Sequence, residues 1–306
     1  MKYFQLLFTF FIIILQSCNN ETTPVQSNSS LQKLDSLHSG FNEVELTKQI
    51  INNQKDTVVI VAFGHLYGML SHTELFEQLI NVVNEQKPDY VWVLGDIVYN
   101  NTEEEWDTVL SYYQNFDGIR YHAGGNHDMN YHYERYFGVR ENQWEAESRY
   151  LDKVGYRYLT LEDNVANYML INMNDSIDRI DEYLSIMLPE LNPDKPSVLF
   201  THQAVWHENQ SDADDPKTWV KKSFPKDTIL SRLGDFDYLV HGDWAQKFYF
   251  NTQTFNGIKY YALAAGNYTE GEPIHITRIE LSAGGMKAEA IPIPIPENST
   301  WNKKSP

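Results

Sequence analysis

The sequence predicts an α/β protein with layered sheets. Three observations carry that prediction. From residue 57 onward, short β-branched runs alternate with amphipathic segments in a βαβ rhythm that later gives way to antiparallel strands. An apolar fraction of 42% and an aromatic fraction of 14% suit a packed globule rather than a disordered chain. A length of 306 residues is enough for one large domain or two small ones.

The elements follow in order. "TVVIVAFG" (57–64) has the pattern of a buried strand. "SHTELFEQLINVVNEQK" (71–87) has helical periodicity, with Ser71 and Glu74 spaced as a capping box. "DYVWVLGD" (89–96) is a second strand. "TEEEWDTVLSYYQNF" (102–116) is a second helix, its first turn rich in acids that complement the helix dipole. "GIRYHAGGN" is a third strand. A strand at 167–174, a helix around 177–187, strands at 197–202 and 236–243, and the hairpin-like "KFYFNTQTFNGIKYYALAAG" complete the pattern. The segments 129–155 and 203–226 read as loops without a motif. The closing "IPIPIPENSTWNKKSP" predicts an extended edge segment and then a frayed end.

The first residues carry a different message. Lys2 is followed by an apolar stretch, Phe4 to Leu15, broken only by Gln5 and Thr9. That is short for a membrane span and right for the core of a signal peptide. Leu15-Gln16-Ser17-Cys18 then resembles the lipobox of bacterial lipoproteins. The reading is a signal peptide over 1–17, lipidation at Cys18, a polar tether over 18–45, a folded domain over 46–293 and a tail over 294–306. It places the protein in the bacterial cell envelope, lipid-anchored to a membrane and outside the cytoplasm. An ordinary secretory signal with an incidental cysteine is the alternative. Cys18 is the single cysteine, so no intrachain disulfide is available.

A formal charge of −18 makes the chain a poor nucleic-acid binder, because phosphate backbones are repelled overall, and no nucleic-acid partner is expected. It leaves phosphate substrates open, since a bound metal reverses the local potential.

In α/β folds ligands bind at the carboxyl ends of strands. Here those ends deliver His65, then Asp96, then Asn126, His127 and Asp128, then His202, then His241 and Asp243. One strand-end Asp is ordinarily a turn former, and one His is ordinarily satisfied locally. Five strand ends closing on His, Asp or Asn are harder to assign to turns. Imidazoles with carboxylates and an amide suit Zn, Mn or Fe, and they suit metal-assisted hydrolysis with a nearby His as proton donor.

The order and spacing of "GD" at 95–96, "GNHD" at 125–128, His202 and the glycine-centred 241–245 resemble the calcineurin-like metallophosphoesterases over roughly residues 57–270. The resemblance implies a two-sheet βαβ sandwich flanked by helices, with a two-metal site at the strand ends. It implies that Asp96 bridges the metals and that Asn126 and His202 bind one of them. It further implies that His127 faces the leaving group and that Asp128 orients His127.

The pattern also breaks. The family's first motif is Asp-x-His, and here it is Phe63-Gly64-His65. Its last is Gly-His-x-His, and here it is Gly242-Asp243-Trp244-Ala245. One metal would keep Asp96, Asn126, His202 and Asp243, and the other only His65 and Asp96. A two-residue slip would let His241 restore a ligand. The function expected is therefore a metal-dependent phosphoester hydrolase with a reduced site, holding one divalent ion (Mn, Zn or Fe) or a repaired pair. Its substrate would be a small-molecule or envelope-associated phosphoester. The alternative is a catalytically silent binding lipoprotein, for which 20 tyrosines and 7 tryptophans offer stacking surfaces. A serine esterase is set aside, because Ile97 follows the first "GD" and no G-x-S-x-G occurs.

Overall fold

The computed structural model describes residues 40–129, 143–172, 175, 177–202, 235–242, 249–255, 258–264, 274–297, 299 and 301. The chain runs β1 (Lys48–Ile50), β2 (Thr57–Phe63), α1 (Thr73–Glu85), β3 (Tyr90–Leu94), α2 (Glu103–Tyr113) and β4 (Ile119–Ala123). It continues with α3 (Gln143–Val154), β5 (Leu159–Glu162), β6 (Asn167–Ile171), α4 (Ile177–Met187), β7 (Ser197–Thr201) and β8 (Tyr238–His241). It closes with β9 (Tyr249–Phe255), β10 (Ile258–Ala264), β11 (Ile274–Ser282) and β12 (Gly285–Ile293).

These strands form two sheets, a five-stranded one in the order β12-β11-β2-β3-β4 and a seven-stranded one in the order β1-β5-β6-β7-β8-β10-β9. The expected α/β fold of two sheets is met. In the smaller sheet β2, β3 and β4 are parallel, with Phe63 opposite Val93 and Leu94 opposite Ala123. In the larger sheet β6, β7 and β8 are parallel, with Ile171 opposite Thr201 and Thr201 opposite His241. Parallel pairing in register brings the carboxyl ends of each set to one rim.

Three apolar layers hold the sandwich. Between the sheets Ile60, Trp92, Tyr168, Leu170, Val198 and Phe200 are buried together. Trp92 stacks on Phe200 at 4.1 Å and 8°, which joins the two sheets face to face. On the outer face of the smaller sheet, Val61, Phe63 and Val93 pack against Leu75, Phe76, Leu79 and Trp106 of α1 and α2. On the outer face of the larger sheet, Met169, Ile171 and Leu199 pack against Ile180, Tyr183 and Leu184 of α4. Among the described residues no helix is long and apolar enough to cross a membrane.

Several sequence expectations need correction. No capping box forms at Ser71, because the helix starts one turn position later, with His72 as N-cap and no side-chain cap bond. The capping box is at α2, where the Glu105 amide donates to Thr102 Oγ1 and the Thr102 amide donates to the Glu105 carboxylate. The segment 129–155, read as loop, contains α3. The antiparallel pair β11–β12 was not foreseen beyond its last residues, though Pro292 does lie on the edge strand as expected.

The two ends of the domain also pack more than the sequence predicted. In the tail, Trp301 is docked, its fully buried ring meeting His72 edge-on at 5.3 Å, and Ser299 Oγ donates to Glu74. Residues 40–45, assigned to the tether, pack on the body. Glu45 is fully buried and accepts from the Arg157 amide at 2.8 Å, and Arg179 lies over the Phe41 ring at 5.1 Å. The signal peptide, Cys18 and most of the tether lie outside the described residues.

Candidate metal centre

The rim is organised around Asp96, in the loop leaving β3. Asp96 and His65 both have left-handed backbone, each at φ 55. Non-glycine residues reach that region at a cost that surrounding contacts must offset. Those contacts are present. The His65 amide donates to the Gly95 carbonyl at 2.9 Å, and the Tyr67 amide donates to the Asp96 carbonyl at 3.1 Å.

Asp96 Oδ1 accepts from the His127 amide at 3.0 Å and lies 3.4 Å from His202 Nε2. Its Oδ2 lies 3.5 Å from His65 Nδ1. Burial opposes ionisation of this carboxyl, but the charges of His202, His127 and His65 win and hold it well below the usual carboxylate range.

The His202 ring is fixed from behind. Its Nδ1 donates to the Leu94 carbonyl at 2.6 Å, which leaves Nε2 directed at Asp96. A ring nitrogen tied to a backbone carbonyl, with the other nitrogen presented forward, is how metal-binding histidines are ordinarily oriented. The approach needs glycine at 95, because a Cβ there would sit 2.4 Å from His202 Nδ1. It needs glycine at 125 as well, because a Cβ there would sit 2.2 Å from Asp96 Oδ1.

Ligand atoms of His65, Asp96 and His202 all lie within 4.8 Å of one another. Two imidazoles and an ionised carboxylate fit a borderline divalent ion such as Zn, Mn or Fe. The two histidines approach Asp96 from opposite sides of its carboxylate, His202 at Oδ1 and His65 at Oδ2. Asn126 is buried beside this set. His241 is buried at the end of β8 but is not a member of it. Asp243 and Ala245 lie outside the described residues. Phe63 faces the helix-side core, 5.6 Å from Phe116.

The expected role of Asp128 is also corrected. Its carboxylate makes no contact with the His127 ring. It accepts four backbone amides instead: Asp96 and Gly125 on Oδ2 at 2.8 Å each, Ile97 and Val98 on Oδ1 at 2.9 and 3.2 Å. Asp128 therefore ties the Asp96 loop to the Asn126 loop. Burial and the neighbouring Asp96 push its pKa up to about 6 against the pull of those amides. The His127 ring is held by a different group, its Nδ1 donating to the Tyr99 carbonyl at 2.9 Å. That bond places the neutral-state proton on Nδ1 and leaves Nε2 for chemistry.

Sequence reasoning missed three neighbours. Tyr67 and Tyr99 flank the His127 ring at 4.6 and 5.0 Å. They follow His65 by two and Asp96 by three positions, so extending each strand-end motif by one turn would have found them. Asn172, the polar residue at the end of β6, is buried and donates to Met129 Sδ at 2.7 Å. The strand-end rule applied to "NYMLINMN" would have included it. His122, buried in β4 with Nε2 at 3.7 Å from Asp128, is kept neutral because burial, and then His202, lower its pKa to about 3.

A family model described as calcineurin-like phosphoesterase matches residues 37–247, more than half of the chain. The chain belongs to that family. The matched span contains every described residue of the site. The chain is 24% identical over 212 residues to an uncharacterised metallophosphoesterase of Campylobacter jejuni, covering 63% of this chain and 45% of the relative. It thus spans less than half the length of that curated relative. Its fold is similar to a purple acid phosphatase from yellow lupin (Lupinus luteus) seeds, with a TM-score of 0.55 and 10% identity over 80% of this chain and 54% of that one. At that identity the likeness speaks for the fold alone.

Proposed function

We propose that this member of the family hydrolyses phosphoesters with a reduced site, in which one divalent ion is held by His65, Asp96 and His202. The single observation that supports this is the convergence of those three buried side chains within 4.8 Å, with Asp96 held ionised. A divalent ion bound there supplies positive charge against a phosphoryl oxygen and acidifies water for attack. The chain's own residues do the rest. His65 and His202 would offer ring nitrogens to the ion beside Asp96. Asp128 holds the two loops in register through backbone amides. His127 keeps its Nδ1 proton on the Tyr99 carbonyl, and a second proton, carried on Nε2 in the imidazolium form, would pass to the leaving oxygen. Phe63, in a core cluster rather than at the rim, supports one ion rather than two.

The test is metal per chain by elemental mass spectrometry, beside Asp96→Ala, together with turnover of an aryl phosphate ester. About one ion, lost in the variant, with turnover that falls sharply in His127→Ala, is the expected result. Two ions would reject the reduced site. No ion after soaking in Mn or Zn would leave the silent binder as the function.

We further infer a lipid-anchored protein of the cell envelope acting on a small-molecule or envelope-associated phosphoester. The lipobox-like Leu15 to Cys18 supports this. Cys18→Ala should move the protein from the membrane fraction to the soluble fraction, and unchanged partition would reject the anchor.

A further inference from the structure

We propose that the C-terminal tail positions His65: Trp301, aimed by Ser299, buttresses the segment that carries this ligand, so the affinity of the site for its ion depends on the docked tail. The inference rests on the reading of His65, Asp96 and His202 as the ion's ligands. It adds what holds one of them in place.

His65 opens a run of tight turns that ends at α1. The run starts from a left-handed residue, His65 at φ 55, a conformation that surrounding contacts must over-determine. Its first half is tied to the Asp96 loop, with the His65 amide on the Gly95 carbonyl and the Tyr67 amide on the Asp96 carbonyl. Its second half is tied to the helix. The Leu70 amide donates to the Tyr67 carbonyl at 3.2 Å, the His72 amide to the Met69 carbonyl at 2.8 Å, and the Leu75 amide to the His72 carbonyl at 2.9 Å. A displacement of His72 is therefore handed along consecutive turns toward His65.

The tail meets this run at His72. Trp301 is fully buried in the same apolar layer as Met69, Leu75 and Phe76, and its ring stands edge-on to the His72 ring. Ser299 sets the tryptophan in place. Its amide donates to the Pro296 carbonyl at 2.9 Å, which turns the chain. Its Oγ accepts from the Trp301 amide at 3.2 Å and donates to Glu74 Oε1 at 2.7 Å. The same Glu74 oxygen lies 3.9 Å from His72 Nδ1. One apolar and one polar contact thus fix the start of α1 where the His65 run joins it.

Trp301 acts through His72 and is a positioning residue. Groups that directly orient metal ligands ordinarily govern roughly 10- to 100-fold in metal affinity, and Trp301 acts at one remove, so about tenfold is expected. The variants are Trp301→Ala, Trp301→Phe and Ser299→Ala. Ile180→Ala is the control, since it empties buried volume beneath α4 on the other sheet. Manganese and zinc affinities are measured by competition with a metal indicator on folded, full-length chain. Amide hydrogen exchange is followed in the metal-free protein. Ser299→Ala keeps the ring and carries the test if Trp301→Ala does not fold.

Affinity should fall about tenfold in Trp301→Ala and several-fold in Ser299→Ala, and stay near its original value in Trp301→Phe and Ile180→Ala. Without metal, the amides of Tyr67, Leu70 and His72 should exchange several-fold faster in Trp301→Ala, while those of Ile97 and Val98, held by Asp128, keep their rates. Unchanged affinity in Trp301→Ala and Ser299→Ala, or an equal loss in Ile180→Ala, would overturn the buttress and leave the ion site standing. Exchange that rises equally at Ile97 and Val98 would show general loosening and overturn it too. Binding of neither ion by the unmodified protein would strike the ion site itself, and the buttress with it.

Discussion

Replacing Asp128 by asparagine should unlock the rim without touching any ion-binding atom. The carboxylate accepts four buried backbone amides, two on each oxygen. Asparagine has one acceptor oxygen, so it can retain only one of those pairs. The other two amides would face an NH2 group that cannot accept. A buried donor left unsatisfied costs about 1–3 kcal/mol, so two cost roughly 4 kcal/mol. For a domain of this size that is on the order of a 10 °C fall in melting temperature.

The Asp96 and Asn126 loops would lose their common anchor. A drop of about 10- to 100-fold in Mn or Zn affinity should accompany the loss of stability, as for other groups that support metal ligands. Urea unfolding of metal-free protein measures the first effect, and competition titration with a metal indicator measures the second. The His127 ring should keep its tautomer, because Tyr99 rather than Asp128 holds it, and nitrogen NMR of the imidazole reads that directly. A variant with full stability but an altered His127 tautomer would refute the clamp and restore the orienting role.

Glu162 contributes to the acid dependence alongside Asp96. Burial works against ionisation of Glu162, yet hydrogen bonds from Lys195, Lys48 and Asn192 outweigh it and hold its pKa at about 2, below the ordinary 4.5. A depressed carboxyl stabilises the fold fully above its unfolded value, so this contribution should fade as pH falls from about 4.5 toward 2. Glu162→Gln should flatten the stability profile across that window, and an unchanged profile would show that the pairs contribute nothing. Trp301→Ala should cost roughly 3–5 kcal/mol by emptying a fully enclosed site, and a loss under about 1 kcal/mol by thermal melting would mean the tail is not docked in solution. Phe63→Asp should destabilise by several kcal/mol by placing a charge in an apolar layer, without adding a second ion by elemental analysis. A gain of metal at full stability would contradict the core assignment.

Much of the fold was legible because its signals are local. Strands β2 and β3 of the smaller sheet are buried along most of their length, so they read as apolar runs. The helix expected around 177–187 is α4. What escaped had weak or misleading local signals. The strand β1 has only three residues, and the four-residue β5 that it pairs with lies far along the chain. Helix α3, "QWEAESRYLDKV", is dominated by polar residues and was passed over as loop.

The site divides in the same way. Strand-end positions named Asp96, Asn126, His127 and His202, because side chain and backbone address coincide there. The work of Asp128 was misassigned, because sequence adjacency to His127 says nothing about which way a carboxylate turns. Its partners, the amides of Asp96, Ile97 and Val98, lie 30 or more residues away.

The candidate ligand set is also split between the two sheets. His65 and Asp96 follow strands of the smaller sheet, while His202 follows β7 of the larger one and donates across to Leu94. Anything that joins Asp96 to His202 is therefore a rivet through the sandwich. Occupancy and cohesion of the fold become one linked equilibrium, in which an ion at a hundred times its dissociation constant adds about 2.7 kcal/mol against unfolding. The same linkage runs in reverse. Surroundings starved of metal would slow the reaction and also loosen the seam between the sheets, so scarcity of the ion would be felt first as a shorter-lived protein.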